Sequence, residues 1–194
     1  MRASERDEQA RADWWREMRR VDPARLVFVD ESGSHLAMTP AYARAPRGQR
    51  ANAAVPKNRG RNTTIIGALG WQGWQAGLTL EGAADTAAFE AFVESCLVPT
   101  LSQGQMVVVD NLSIHKGGRV RQLIEEAGCS LLFLPTYSPD FNPIELAWSK
   151  LKAFLRRIGA RTRELLEDAI SSGLDTITTQ DAKHWFEHVG YQLN

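Results

Sequence analysis

Cysteine is scarce. Cys96 and Cys129 are the only two in 194 residues, and they form neither a CxxC pair nor the spaced framework that staples small secreted domains. A reduced, cytoplasmic setting is the expectation. Long apolar runs are also missing: none reaches the roughly 18 residues that a membrane-spanning helix needs, and residues 1–25 carry charge throughout instead of an apolar signal core. This pattern predicts a soluble protein that is not exported. There is no excess of charge of one sign, because Lys plus Arg and Asp plus Glu number 23 each, so whole-chain charge says nothing about a polyanionic partner. Internal repeats and low-complexity tracts are absent. So is the GxxxxGK[ST] loop that cradles nucleotide phosphates, which disfavours a phosphoesterase acting on small substrates.

One absence is local. No Asp or Glu occurs between Glu31 and Glu81, whereas Arg44, Arg47, Arg50, Lys57, Arg59 and Arg61 fall within eighteen positions that also hold Pro46, Gly48, Pro56 and Gly60. That segment reads as a long basic loop. Residues 1–25 hold seven Arg and six acids around Trp14, Trp15 and Met18, which predicts a charged helical extension with a short docking face. The remainder, 26–194, is long enough for one core of its own.

The runs "RLVFVDES" and "QMVVVDN" are short, apolar and β-branched, each reaching an aspartate, as strands buried on both faces do. "NTTIIGALGW" and "WQAGLTLEG" flank a Gly-containing turn and predict a hairpin, and "CSLLFLP" predicts a further strand. Residues 85–98, 116–128 and the chain from Pro143 onward have helical periodicity. The expected fold is α/β, a mixed sheet flanked by helices.

Asp30 and Asp110 are each expected to end a buried strand, and in open α/β sheets the crevice beyond strand ends is where ligands collect. Glu145 opens a helix shortly after a third strand and can reach the same edge. Three carboxylates there repel one another unless a cation lies among them. Mg²⁺ or Mn²⁺ suits oxygen ligands, and a pair of such ions can activate a water and stabilise the leaving oxygen of a phosphodiester. Each acid also has a plainer reading. Asn142, Pro143 and Glu145 fit an N-cap, a first-turn proline and a capping-box glutamate, and an aspartate after a strand is often a turn former. His184 and His188, spaced i, i+4, could hold zinc but have no obvious third ligand. Ile144, Trp148, Leu151 and Leu155 recur at helical spacing and read as core.

The blocks "VFVDESG", "VVVDNLSIHK" and "YSPDFNPIELAWSKLK" resemble, in order and spacing, the three signature blocks of the mariner-type transposases and their bacterial insertion-sequence relatives, within the DDE endonuclease superfamily. Thirty-four residues separate Asp110 from Glu145, as in the family. The resemblance covers about residues 26–158 and includes "YARAPRGQR" and "TTIIGAL".

The resemblance implies a ribonuclease H-like catalytic domain in which Asp30, Asp110 and Glu145 hold two Mg²⁺ or Mn²⁺ ions. Asn111 and His115 would support the site or nearby DNA, while Glu31 and Asp140, beside the motif acids, would back the metal ligands without binding metal or be structural. It implies cleavage at transposon ends and strand transfer, without a covalent protein intermediate. Arg44, Arg47, Arg50, Lys57, Arg59 and Arg61 would then neutralise DNA phosphates, with Lys150, Lys152, Arg156 and Arg157 extending the track. Implied partners are transposon-end and target DNA, a second copy of the chain, and a helix-turn-helix protein, because family members carry such domains ahead of the first aspartate and only about twenty-five residues precede it here. The expected setting is a bacterial cytoplasm, at the nucleoid. Two origins stay open: one reading frame of a split element, or a truncated, catalytically silent relic that acts only as a DNA-binding or assembly protein.

Overall fold

The sheet is organised about its central strand, β1 (Leu26–Ser34), in which alternate residues are buried on opposite faces. Strands β2 (Thr63–Gly70) and β3 (Gly73–Glu81) pair antiparallel on one side of it, and β4 (Met106–Val109) and β5 (Ser130–Phe133) add in parallel on the other. The order is β3-β2-β1-β4-β5. In this computed structural model the described residues are 6–192 apart from Ala41, Ala53, Ser113, Ile114 and Lys116. Met1–Glu5 of the N-terminal extension and the expected helix start at Lys116 thus lie outside them.

Asp30 does not end its strand as expected. β4 pairs with β1 only through Leu26–Phe28, whereas β2 follows it as far as Ser34, so β1 continues as half of an antiparallel ribbon and Asp30 lies at its middle. Asp110 does follow the last residue of β4 directly. The shorter parallel half and the longer antiparallel half thus leave an edge at which both acids line one cleft.

Both faces of the sheet are covered, which is why the central strands are continuously apolar. On one face Leu26, Phe28, Ile65 and Leu69 pack with α1 (Glu8–Met18), α4 (Ile144–Ile158), α5 (Arg163–Leu174) and α6 (Thr179–Val189). On the other Val27, Val29, Ile66 and Val107 pack with α2 (Thr86–Phe92), which runs on through a wider turn at Val93–Leu97, and α3 (Gly118–Glu126). The N-terminal extension does more than dock at the margin: Trp14 and Met18 of α1 belong to the first of these cores.

Residues 35–62, between β1 and β2, include no helix or strand among the described residues and are largely exposed. The base of this loop is anchored: Leu36 N–H donates to Arg59 O at 3.1 Å, and Arg161 Nη1 donates to Leu36 O at 2.9 Å and Met38 O at 3.1 Å.

Candidate active site

Asp30 projects from the α4 side of β1, on the same face as Phe28. Its Oδ2 accepts a hydrogen bond from Trp148 Nε1 at 3.1 Å. Burial first, and then the charge of Glu145, push its carboxyl up to about 7; Glu31 adds to this, while a backbone N–H and the Trp148 indole oppose it. A carboxylate held this unfavourably calls for a positive charge nearby.

Asp110 belongs to a different network. His115, fully buried, places Nδ1 2.8 Å from Asp110 Oδ1 and Nε2 2.8 Å from Glu31 Oε1. Burial opposes charge on this imidazole, but the two carboxylates outweigh it and push the group up to about 9, so the ring is a cation clamped between two anions. The Phe89 ring packs against it at 4.3 Å. Asp110 Oδ1 also accepts the Leu112 N–H at 3.0 Å, and the neighbouring Asn111 donates its amide to Thr136 Oγ1 at 3.1 Å.

Glu145 lies in the first turn of α4. The capping box expected around it is not formed. Pro143 occupies the N-cap position without a side-chain cap bond, and Asn142 is turned inward, with its Oδ1 buried and lacking a hydrogen-bond partner. The prolines and the short helix Pro139–Phe141 bring in the chain at an angle that buries Asn142 instead of letting it reach the free N–H groups. Glu145 is therefore exposed and free of a capping role.

Asp30, Asp110, Glu145 and Asn142 line one cleft of about 410 Å³, with Leu112, Tyr137 and the Leu134–Pro139 segment as its other walls. The three acids arrive from β1, the end of β4 and the start of α4. They share the cleft without forming a closed coordination sphere: among the described residues no three Asp, Glu, His or Cys side chains converge on one point. Residues 25–167 match the family model described as DDE superfamily endonuclease. The chain belongs to that family.

Solved structures agree on the fold of the chain. The Mos1 strand transfer complex superposes with a TM-score of 0.74 at 17% identity, covering 94% of this chain and 56% of that one. The Mos1 mariner paired-end complex with Mn gives 0.70 at 16% identity, covering 94% and 57%. The crystal structure of the Mos1 mariner transposase catalytic domain gives 0.64 at 13% identity, covering 94% and 85%. The chain thus spans little more than half the length of the Mos1 chains in the DNA complexes, and most of the isolated catalytic domain. The shared architecture is the expected ribonuclease H-like fold. No curated protein matches the sequence.

The basic residues expected to contact DNA separate into two groups. Arg44, Arg47, Arg50, Lys57 and Arg59 are exposed along the 35–62 loop, and Arg61 at its end pairs with Glu81 at 2.7 Å. Arg59 and Arg156 both act on His35 and lower its proton affinity after burial has done so, which places the base of the loop beside the end of α4. Lys152 is half-buried, and Arg157 lies over the Phe154 ring at 5.2 Å. Lys150 departs from the expected phosphate track: its ammonium donates to Thr176 O and pairs with Asp181, both at 2.7 Å, so it joins α4 to α6. His184 and His188 are exposed on α6 with ring centroids 6.4 Å apart.

Trp148 is buried as predicted, yet periodicity alone could not show that its N–H reaches an acid 118 residues earlier in the chain. Asp140 pairs with Arg11 of α1 at 2.6 Å. The adjacency of Glu31 to Asp30 hinted at the partner of His115, because neighbours on a strand face opposite sides of the sheet.

Proposed function

We propose that this DDE endonuclease is the catalytic domain of a transposase, which cleaves DNA at the ends of a mobile element and joins them to target DNA with one or two divalent ions held by Asp30, Asp110 and Glu145. The observation that carries this reading is the single cleft to which three separate elements each contribute one of these acids. The donor set suits a hard cation. All three are carboxylates, Asp30 is repelled by its neighbours, and the buried Asn142 Oδ1 lacks a donor that a water on Mg²⁺ or Mn²⁺ can provide. When bound, such an ion supplies charge neutralisation at the phosphate and an activated water.

The protein's own part is placement. His115 fixes the Asp110 carboxylate from behind and leaves Oδ2 to the cleft. The exposed Glu145 can turn on its helix to meet Asp30 across the opening. In the first reaction a water oxygen gives up a proton as it attacks phosphorus, the bond from phosphorus to the 3′ oxygen breaks, and that oxygen takes up a proton to become a 3′ hydroxyl. In the second that hydroxyl attacks a target phosphodiester and displaces another 3′ oxygen. Neither needs a bond to the protein. Arg44, Arg47, Arg50, Lys57, Arg59 and Arg61, with Lys152, Arg156 and Arg157, serve as phosphate contacts that position the duplex without reading its bases. Two copies of the chain on paired ends, together with a helix-turn-helix partner that reads the terminal repeats, complete the working assembly.

The test is calorimetric titration of Mn²⁺ into the wild type, Asp110→Asn and Glu145→Gln with a short duplex present, followed by Mn²⁺-dependent nicking of supercoiled plasmid. Binding and nicking by the wild type, with loss of both in the two folded variants, is expected. A wild type that binds no Mn²⁺ would reduce the chain to a silent DNA-binding descendant.

A further inference from the structure

The row of the sheet that contains Asp30 is unusual. Asp30 is paired with Gly67 of β2, and Gly67 with Gly77 of β3, so two consecutive neighbours of the acid have no side chain on that face. The space is taken by Trp74. A Cβ on Gly67 would clash with Cη2 and Cζ2 of Trp74 and lie 2.9 Å from Trp148 Cη2, and one on Gly77 would lie 3.2 Å from Trp74 Nε1. Trp74 meets Trp148 edge-on, with centroids 5.2 Å apart and planes inclined at 72°. Trp148, 2% exposed, in turn directs its only polar atom at Asp30 Oδ2. Glycines, first indole, second indole and carboxylate form a continuous stack from β3 to β1.

Trp148 is also three residues after Glu145 on α4. Side chains at i and i+3 share a helix face, so the bond that fixes Trp148 against β1 also fixes the turn that carries Glu145. We propose that Trp148 is the positioning residue of the metal site: its indole N–H, backed by Trp74 in the room left by Gly67 and Gly77, holds the Asp30 carboxylate in one rotamer and sets α4 so that Glu145 faces it. This rests on the assignment of Asp30 and Glu145 as ligands. An apolar ring of similar size would fill the same space and leave the Asp30 carboxylate free to rotate. Partners that orient ligands from behind are commonly worth about 10–100-fold in metal affinity.

The experiment compares wild type, Trp148→Phe and Trp74→Phe in calorimetric Mn²⁺ titrations with a duplex present, alongside thermal melts. Trp148→Phe should weaken Mn²⁺ by about tenfold or more with a melting temperature close to wild type, because it deletes the N–H and keeps a ring on Trp74. Trp74→Phe alters the packing but keeps the N–H, and should change affinity much less. Equal Mn²⁺ affinity in Trp148→Phe and wild type overturns the proposal, whereas absence of binding in the wild type overturns the ligand assignment beneath it. Should Trp148→Phe not fold, ¹⁵N-indole spectra of the wild type decide. The signal displaced in Asp30→Asn identifies Trp148, and it must move when Mg²⁺ is added. If it stays fixed while calorimetry shows Mg²⁺ bound, the proposal fails.

Discussion

His115 has no solvent exposure and lies 2.8 Å from a carboxylate on either side, Asp110 and Glu31. Both anions face the imidazole, so the ring serves as the internal counter-charge of the cleft's rear wall. Replacing it by Gln keeps hydrogen-bonding capacity but leaves two partly buried carboxylates without a cation between them. Removing one partner of a buried ionic cluster typically costs about 3 kcal/mol. We expect urea denaturation at pH 7 to show a loss of that order for His115→Gln, with part of it recovered in the double variant Glu31→Gln/His115→Gln, where one of the opposed anions is gone. Equal stability of His115→Gln and wild type would show that the ring is an ordinary packed histidine. From sequence, His115 stands out only through the resemblance of its block to the family; its bond to Glu31 depends on two strands and a loop meeting in space.

The helix α4 combines what was legible with what was not. Its apolar stripe was plain, since Ile144, Trp148, Leu151 and Leu155 fall on one face and all are buried. Its stop at Gly159 is equally well explained, the glycine adopting φ 63°, a left-handed value that residues with a Cβ rarely tolerate. Its start differs from the capping box that Asn142 and Glu145 suggest, because the preceding turn buries Asn142. The strands were legible for a simple reason: burial on both faces demands continuous β-branched and apolar runs. The length of β1 was not, since pairing with β2 carries it beyond the last apolar residue. The Lys150 pairing is not legible for a similar reason: its partner, Asp181, is on another helix. Lys150 first, and the Thr178 cap bonds as well, hold Asp181 down to about 2. A carboxyl depressed in the fold adds stability above its unfolded value near 4, and that stability is lost as pH falls through about 2. Asp181→Asn should therefore melt below wild type at pH 7 by the small amount of a part-exposed pair, about 0.5 kcal/mol, and the two melting curves should draw together between pH 4 and pH 2. A gap that stays constant over that range would mean that Asp181 acts as a cap alone, without help from charge.

At the scale of the whole molecule, the ends of the chain are clasped around the approach to the cleft. Arg11 of α1 makes a two-pronged contact with Asp140, at 3.0 and 2.6 Å, and its guanidinium lies 3.7 Å over the Phe141 ring. Trp14 Nε1 donates to the Tyr191 hydroxyl at 3.1 Å, and that hydroxyl donates to Phe141 O at 2.8 Å. Residues from the two ends thus grip the turn Pro139–Phe141 that delivers Asn142 and Glu145. None of this was readable in a stretch of alternating charge, where Arg11 looks like one arginine among seven. The pair is lopsided: the Arg11 side chain is 7% exposed and that of Asp140 is 52%. Removing the acid therefore leaves the buried guanidinium with only the exposed Glu8 carboxylate, 3.7 Å from its Nε, whereas removing the cation leaves an acid that Arg6 and water can serve. Asp140→Ala should cost about 3 kcal/mol, a drop of several degrees in melting temperature for a chain of this size. Arg11→Met, which retains an apolar stem over Phe141, should cost about 1 kcal/mol, and the combined variant should resemble Arg11→Met rather than the sum. If the two single losses are instead equal and additive, the clasp is an exposed ion pair and α1 is held by Trp14 and Met18 alone.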